Sequence, residues 1–562
     1  MKSKIFLLIL MPVFYLAALH AQTKSLNVPE LSETQKFESA SAMLYNNICM
    51  AINFAKSEGK TVEEYGKYCG EQYKSAWNKE KDFAYFASGA IHNFSVTSEK
   101  VEILQQSEKT VAFQAINHFK DFNKNEKIWD VSYNEFLEFI KSGYSSIGKQ
   151  YNSTIQLEPA GNAVLLILES KSSPLTAEEY LIKGRAMHKV AEANGNRSLD
   201  MKAAEQFRSA LAINPNIAEA YVQLGWISRR WDKSQFFEEN YLDSATYFAN
   251  KALGINTEHP GAYLLLGMIN ENRGKFNEAL EVYQIALKHE DFGPTSTTYR
   301  FIGNINFNLG KYADAVKYDL KQYDLKKKYE TQHYTLASLA NHLRQTGFFD
   351  ECEKCNSLIF ELDKNLSGFN IYKIYNLLLS EKINEAINLA TNEFKRDSTN
   401  LTFAYLLTEA YFLLNDFQES FQWLKTFEAG VKRNGGKLQP SETFGSIFLK
   451  NGMEKEADYH FGESTKNIKR AIEFNRYPES YLPYLSIASI HAANDEKKAA
   501  INNLKKNKSY NTIVMLHLKR NPMFDTIRNE PEFQKILKET ESKYNEMHRQ
   551  VEQILAEHGN ID

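Results

Sequence analysis

The sequence is poor in the residues and motifs that build most catalytic and redox centres. Only 4 of its 562 residues are cysteine and only 12 are proline. Its 13 histidines form no HExxH pattern, no GxSxG elbow is present, and no GxxxxGK is followed by the Ser or Thr that completes a phosphate-cradling loop. We therefore predict no catalytic residue, no cofactor and no enzymatic activity.

An excess of charge of one sign is also missing. The chain carries 67 basic and 70 acidic side chains, for a net charge of −3. Binding to a nucleic-acid backbone or to an anionic membrane surface depends on a positive field that this balance does not supply. We therefore predict neither nucleic acid nor a membrane surface as a partner.

The one extended apolar run lies at the N-terminus. Lys2 and Lys4 precede the apolar residues 5–19, and Ala21 is followed by a polar stretch. This order of basic, apolar and small residues is typical of a cleaved secretory signal peptide, and the run is shorter than the roughly 20 residues that a spanning helix requires. We expect a periplasmic or secreted protein that does not insert into the membrane after cleavage.

Helical periodicity is abundant, and it is clearest in "YLLLGMINENRGKFNEALEVYQIAL". The residues that share one face of the first helix are Tyr263, Leu266, Gly267 and Asn270, and those of the second helix are Phe276, Ala279, Tyr283 and Ala286. Gly274 separates the two faces. The pattern predicts an antiparallel helical hairpin in which Gly267 and Ala279 let the two backbones approach closely.

The same pattern recurs 36 residues later, as Tyr299, Ile302, Gly303, Asn306, Gly310, Tyr312 and Ala315. Asp319 stands where the first copy has the aromatic Tyr283. Upstream, "AAEQFRSALAINP" has small residues, an aromatic and a proline at the same spacing. These segments resemble tetratricopeptide repeats of exported bacterial proteins. About nine copies follow one another, and those downstream keep fewer of the signature residues.

The resemblance implies a mostly α protein whose hairpins stack into a superhelical solenoid. Its concave groove would be lined by the first helix of each pair and would bind a peptide or protein partner. The groove residues that we predict are Trp226, Arg229, Arg230, Met268, Glu271, Asn272, Arg300, Asn304, Asn308, Asn341 and Arg344. The competing interpretation is a solvated polar surface with no ligand.

Arg300 and Asn304 resemble half of the clamp by which some tetratricopeptide domains hold the acidic ends of chaperone tails. Tyr334 stands where the next repeat of such a clamp has a cation. The resemblance to that clamp is therefore incomplete.

The residues after the last repeat, "HLKRNPMFDTIRNEPEF", resemble a segment that closes many bacterial tetratricopeptide arrays. Phe524, Ile527 and Phe533 can cover the apolar end of the last repeat. The charged helical tail from Glu539 onwards is free to extend into solvent.

The segment before the repeats has a different pattern. It predicts two helices joined by "SEGK", the second with a Thr61–Glu64 capping box, two β-hairpins, and a helix that starts at Ser132. We assign it as a small α+β domain and find no family resemblance for it. Its aromatic residues either line a ligand pocket or fill the core: Trp77, Phe83, Tyr85, Phe86, Phe94 and Trp129.

The four cysteines form two pairs along the chain. Cys49 and Cys69 are equally distant from Gly59 in the predicted turn, which is compatible either with a disulfide or with two buried thiols. Cys352 and Cys355 have the spacing of a redox dithiol, but Cys352 occupies a small-residue packing position. No second pair with ligand spacing accompanies them, so we predict no metal site.

These inferences divide the chain into five segments. They are a signal peptide (1–21), a linker (22–34), an α+β domain (35–175), a repeat array (176–508), and C-terminal capping helices with a charged tail (509–562). The leading hypothesis is a non-catalytic exported scaffold that binds a partner in its groove. The alternative is a small-ligand receptor or an unfamiliar enzyme seated in the α+β domain. The oligomeric state is left open.

Overall fold

A computed structural model describes residues 33–117, 127–171, 173–231, 240–289, 297–326, 333–362, 369–473, 483–559 and 561. The predicted signal peptide and nearly all of the predicted linker lie outside the described residues. The chain forms two compact units, Met1–Ser234 and Gln235–Asp562. Each is described by itself.

The first unit contains the α+β domain together with three further helices. Its helices are α1 (Glu33–Ser57), α2 (Val62–Tyr73), α3 (Phe83–Thr97), α4 (Tyr133–Gly148), α5 (Ala177–Asn194), α6 (Arg197–Ile213) and α7 (Ala218–Trp231). Its strands are β1 (Lys100–Gln106), β2 (Thr110–Ile116), β3 (Lys127–Ile128), β4 (Val131–Ser132), β5 (Ser153–Ala160) and β6 (Ala163–Ser170).

The main sheet is antiparallel with the strand order β1-β2-β6-β5, and it confirms both predicted hairpins. Phe113 pairs with Leu166 in the central ladder. These two side chains lie in a core cluster with residues of α3 and α4. Because side chains alternate across a sheet, Leu165 and Ile167 face the opposite side, which α5 covers. The central strands are therefore buried on both faces.

Local helix signals explain where the helices of this domain begin. The capping boxes Thr61–Glu64 and Ser132–Glu135 both form, as the sequence predicts. Helix α3, which the sequence analysis did not identify, is capped by Asp82.

The aromatic residues of this domain divide into core and surface. Phe83, Phe86 and Phe94 lie in the core cluster on the sheet, which favours the packing interpretation for these three. Tyr85 and Trp129 are 38% and 55% exposed. The six side chains thus do not share one environment.

Cys49 and Cys69 are buried as free thiols in one hydrophobic cluster. The structure therefore has the two buried thiols, and not the disulfide. The physical reason is that α2 packs closely along α4: a Cβ on Gly70 would lie 2.3 Å from the Gly143 carbonyl oxygen. Helix α2 therefore does not form the face-to-face hairpin with α1 that the symmetric spacing suggested.

The second unit is helical throughout its described residues. Its helices are α8 (Asn240–Ile255), α9 (Pro260–Asn272), α10 (Phe276–His289), α11 (Thr298–Asn308), α12 (Tyr312–Lys326), α13 (His333–Thr346), α14 (Phe349–Leu362), α15 (Phe369–Leu379), α16 (Ile383–Arg396), α17 (Leu401–Leu413), α18 (Phe417–Arg433), α19 (Glu442–Lys450), α20 (Glu454–Glu473), α21 (Pro483–Ala493), α22 (Lys497–Leu504), α23 (Thr512–Arg520) and α24 (Pro531–His558).

Consecutive helices from α9 to α22 pack as hairpins, and each hairpin packs on the next. A Cβ on Gly267 would lie only 2.2 Å from the Tyr283 ring, so the first helix needs a glycine where the second helix presents an aromatic. The left-handed turn at Gly274 (φ 71°) then joins the two helices. The predicted fold class is confirmed: a mostly α protein with tetratricopeptide-type hairpins, preceded by a small α+β domain.

The C-terminal segment both caps the array and folds back on it. Phe524, Ile527 and Phe533 are fully buried in a cluster with α21 and α22, which confirms the predicted cap. The expectation that the tail extends into solvent is wrong. Met547 and Val551 of α24 are buried, since an apolar stripe of this otherwise charged helix packs on α12.

The returning chain contacts repeats that lie far away in sequence. Tyr510 donates its hydroxyl hydrogen to the Gly310 carbonyl oxygen at 2.9 Å, across 200 residues. Thr512 donates to the carbonyl oxygen of Gln345 at 2.9 Å. Helix α23 packs against α13 and α15, which are first helices of two successive repeats. The chain therefore covers part of its own first-helix surface.

Candidate interaction surface

Arg300 marks the centre of the polar surface on the first helices α9 and α11. Tyr283 of α10 donates its hydroxyl hydrogen to Glu271 Oε2 at 2.5 Å and stacks on Phe301 at 5.5 Å. The Arg300 guanidinium lies over the other partner of this stack, 4.8 Å from the Phe301 ring centre. The predicted residues Glu271 and Arg300 are thus placed around one aromatic pair.

Arg300 is a cation in a largely buried setting. Burial lowers the pKa of its guanidinium, and the nearby carboxylates of Asp319 and Glu271 act in the opposite direction. Because arginine starts from a pKa above about 12, it stays charged at neutral pH. The arrangement presents a positive charge with donors that suit a carboxylate or a backbone carbonyl.

Asp319 connects this region to the next repeat. Its carboxylate lies 2.5 Å from His342 Nδ1 and accepts a hydrogen bond from Ser338 at 3.2 Å. The Ser338 hydroxyl also lies 3.2 Å from Asn304 Oδ1. Asp319 and His342 are almost fully buried. The sequence analysis did not predict this network. The signal for it was Asp319 itself, which stands where the preceding repeat has an aromatic residue.

Three other predicted groove residues lie on the same two helices. Met268 packs on the cluster that contains Tyr283 and Ile302, so it stabilises the contact between hairpins. Asn272 is partly buried, and its Nδ2 has no acceptor among the described residues. Asn308 is partly buried near the end of α11. The Asn272 nitrogen is almost wholly inaccessible to solvent, so it is an unsatisfied donor inside the array and not an exposed group.

Asn341 and Arg344 lie together on α13. The Arg344 guanidinium donates to Asn341 Oδ1 at 3.4 Å and lies 5.8 Å from the ring centre of Tyr372. Arg344 is 9% exposed. These contacts fix the arginine within the array and leave little of its surface for a ligand.

The predicted groove residues of the first unit contact other side chains of the same unit. Arg230 Nη2 lies 3.2 Å from Asp200 Oδ2, and Asp200, which is fully buried, also lies 2.7 Å from His188 Nδ1. Arg229 lies 5.4 Å from the ring centre of Trp226. Arg230 therefore ties α7 to α5 and α6.

The CEKC segment lies on α14, inside a helical hairpin. Cys352 and Cys355 are both fully buried. Burial raises the pKa of both thiols, although a hydrogen bond from Asn356 and one to Asn376 oppose the shift at Cys352. A thiol that stays protonated is a poor nucleophile. The environment therefore favours the packing interpretation over redox chemistry.

No group of three or more histidine, cysteine or acidic side chains among the described residues is arranged to hold a metal ion. None of the described helices has the length and apolar character needed to cross a bilayer.

No protein-family model and no curated protein matches the chain. Solved structures that it resembles include PilF of Pseudomonas aeruginosa (16% identity, 42% of this chain and 99% of that one, TM-score 0.32). A tetratricopeptide repeat protein from Parabacteroides merdae aligns at 15% identity over 56% of this chain and 99% of its own, with a TM-score of 0.32. YrrB, a TPR protein with an unusual peptide-binding site, aligns at 17% identity over 36% and 97%, with a TM-score of 0.27. At these identities and TM-scores the likeness carries no conclusion about binding.

Proposed function

We propose that the protein is a non-catalytic scaffold that binds an extended segment of a partner protein on the first helices α9 and α11. The observation that carries this proposal is Arg300, a charged donor that lies over the Phe301 ring and is influenced by two nearby carboxylates. Backbone carbonyls or a carboxylate of the partner would accept from its guanidinium.

The course of the C-terminal segment supports the choice of α9 and α11. Helix α23 covers α13 and α15. In the described part of the chain, α9 and α11 pack extensively only on neighbouring helices of the array. Their polar face is therefore the accessible first-helix surface in this half of the second unit.

Site-specific photo-crosslinking in the native cells tests this proposal. A photoreactive amino acid at Asn272 should crosslink to a defined polypeptide, whereas the same group at Gln284, which is exposed on α10 of the same hairpin, should not. The Arg300→Gln substitution should reduce the crosslink from position 272. Equal crosslinks from both positions, or no response to Arg300→Gln, would contradict the proposal.

We also propose that the chain is exported and then acts in the periplasm or outside the cell. The support is the order of basic, apolar and small residues in positions 1–21. N-terminal sequencing of the protein from fractionated cells should give a chain that starts at Gln22 in an envelope or culture fraction. An intact N-terminus in the cytosol would contradict export.

A further inference from the structure

A cavity of about 540 Å³ lies between the second helices α18 and α20. These helices have 17 and 20 residues, whereas the second helices α10, α14 and α16 each have 14. The lining residues lie in the C-terminal half of α18, in the loop that contains Gly436 and Leu438, on α19, and in the first two turns of α20. The volume falls in the range of about 300–1,000 Å³ that is usual for small-molecule sites.

The charges around the cavity are unbalanced. Four lysines and two glutamates line it. Glu428 pairs with both Lys425 and Lys432, each at 3.0 Å. Lys437 and Lys455 are exposed, and no carboxylate of the described residues lies within ion-pair distance of either. The second lining glutamate is also exposed and pairs with no cation of the described residues, so four lysines and two glutamates leave a net charge of +2, and two ammonium groups can pair with an incoming anion.

His460 adds a directed donor. It lines the cavity with only 5% of its surface exposed, and its ring stacks on Phe448 at 5.2 Å. Its Nδ1 accepts a hydrogen bond from the Ser441 amide at 3.3 Å, and burial lowers the pKa of the imidazole. The neutral ring therefore carries its proton on Nε2. No acceptor for that proton exists in the part of the chain that the structure describes.

The remaining wall is apolar. Phe448 is almost fully buried, and Leu438 lies beside it. Tyr459 is 57% exposed and meets the His460 ring edge-on at 5.5 Å. An exposed aromatic that is held in place beside a cationic rim provides a flat surface for an unsaturated or ring-shaped ligand.

We propose that this cavity binds a small organic dianion with a flat apolar body. The two acidic groups of the ligand pair with Lys437 and Lys455, one of them also accepts from Nε2 of His460, and the body of the ligand packs on Tyr459 and Phe448. Lysine recognises carboxylate and phosphate as a point charge, so the proposal fixes the charge and shape of the ligand and leaves the type of acid open. The site is independent of the surface around Arg300.

Isothermal titration of the full mature chain with benzene-1,3-dicarboxylate tests the proposal, with benzoate and the neutral benzene-1,3-dicarboxamide as matched ligands. The dicarboxylate should bind with a stoichiometry of one, benzoate about tenfold more weakly, and the diamide more weakly still. Raised salt should weaken the binding of the dicarboxylate. Equal affinity for the dianion and the diamide would overturn the proposal, as would no binding at millimolar ligand.

Two double variants locate the binding. Lys437→Gln with Lys455→Gln should reduce the affinity at least about tenfold, because each exposed pairing is lost. The control Lys469→Gln with Lys498→Gln removes two exposed lysines outside the cavity and should leave the affinity unchanged. If both double variants weaken binding equally, the dianion associates with general surface charge and the proposal fails.

Discussion

The hairpins α9/α10 and α11/α12 share one backbone plan and differ in chemistry where their two helices meet. In the first, Gly267 faces the ring of Tyr283; in the second, Gly303 faces the carboxylate of Asp319, and a Cβ there would lie 2.7 Å from Oδ1. The glycine of the first helix thus contacts an aromatic ring in one hairpin and a carboxylate in the other.

The difference changes how each hairpin joins the next one. The Tyr283 ring stacks on Phe301, a contact with a broad range of acceptable geometries. Asp319 is bonded to Ser338 and His342, both on α13, and a buried carboxylate is tolerated only while such partners are in place. The contact between α12 and α13 therefore depends on the geometry of hydrogen bonds as well as on packing.

Removal of the aromatic should have the largest effect. Tyr283→Ala leaves a cavity over Gly267 and should cost about 3–5 kcal/mol of local stability. Amide hydrogen exchange of peptides from α9 to α11 measures the loss. Tyr283→Phe removes only the hydrogen bond to Glu271 and should cost about 1 kcal/mol. Similar losses for the two variants would show that the hydroxyl, and not the ring, stabilises this hairpin.

Removal of the acid should come next. Asp319→Ala leaves His342 buried without its partner and should cost about 3 kcal/mol, seen as faster exchange in both α12 and α13. Asp314→Ala, at an exposed acid on the same helix, should change the stability by less than about 0.5 kcal/mol.

A double-mutant cycle shows whether the pair acts as a unit. Asp319→Ala with His342→Ala should cost clearly less than the two single losses added together. Strict additivity would mean that Asp319 and His342 stabilise the array separately.

The comparison also shows what the sequence could predict. Gly267, Ala279 and Tyr283 recur at the helical period, so the hairpins and their stacking follow from local pattern. The capping boxes of α2 and α4 are local for the same reason. The deviation at Asp319 was visible as a break in that pattern, but its partners in α13 depend on how two repeats pack.

Features that depend on distant contacts could not be predicted. The buried stripe of α24 consists of Met547 and Val551 in a strongly charged helix, and only the folded array provides the surface of α12 that it covers. The role of Arg344 is similar, because its position over Tyr372 is set by the next repeat. Helical periodicity reports which face is apolar, not which segment will cover it.

A partly buried acid with no cationic partner among the described residues provides the third test. Burial and the neighbouring Glu442 carboxylate raise the pKa of Glu409 to about 7, against hydrogen bonds with Tyr405 and Thr443. Since the folded pKa lies above the unfolded value, the stabilisation is fully present below about pH 4 and is lost as the pH rises through 7. Glu409→Gln should therefore be more stable than wild type at pH 8, by at most about 3 kcal/mol.

The measurement for Glu409 is urea denaturation at several pH values, followed by the fluorescence of Trp423 on the adjoining helix α18. The advantage of Glu409→Gln should shrink towards pH 5, where the wild-type carboxyl is protonated. An advantage that is constant with pH would show that the carboxyl is not the titrating group.

The smallest effects should come from the glycines themselves. Gly267→Ala drives a methyl group into the Tyr283 ring, which is fixed between α9 and Phe301, and should cost about 2 kcal/mol. Gly303→Ala meets the end of a side chain at 2.7 Å, backed at 3.3 Å by the Ala315 carbonyl oxygen, and should cost about 1 kcal/mol. Hydrogen exchange in α9 and α11 compares the two. If Gly303→Ala proves the more costly, the hydrogen-bond network of Asp319 tolerates less displacement than the aromatic stack does. The hairpin that contains Asp319 would then be the more rigid of the two.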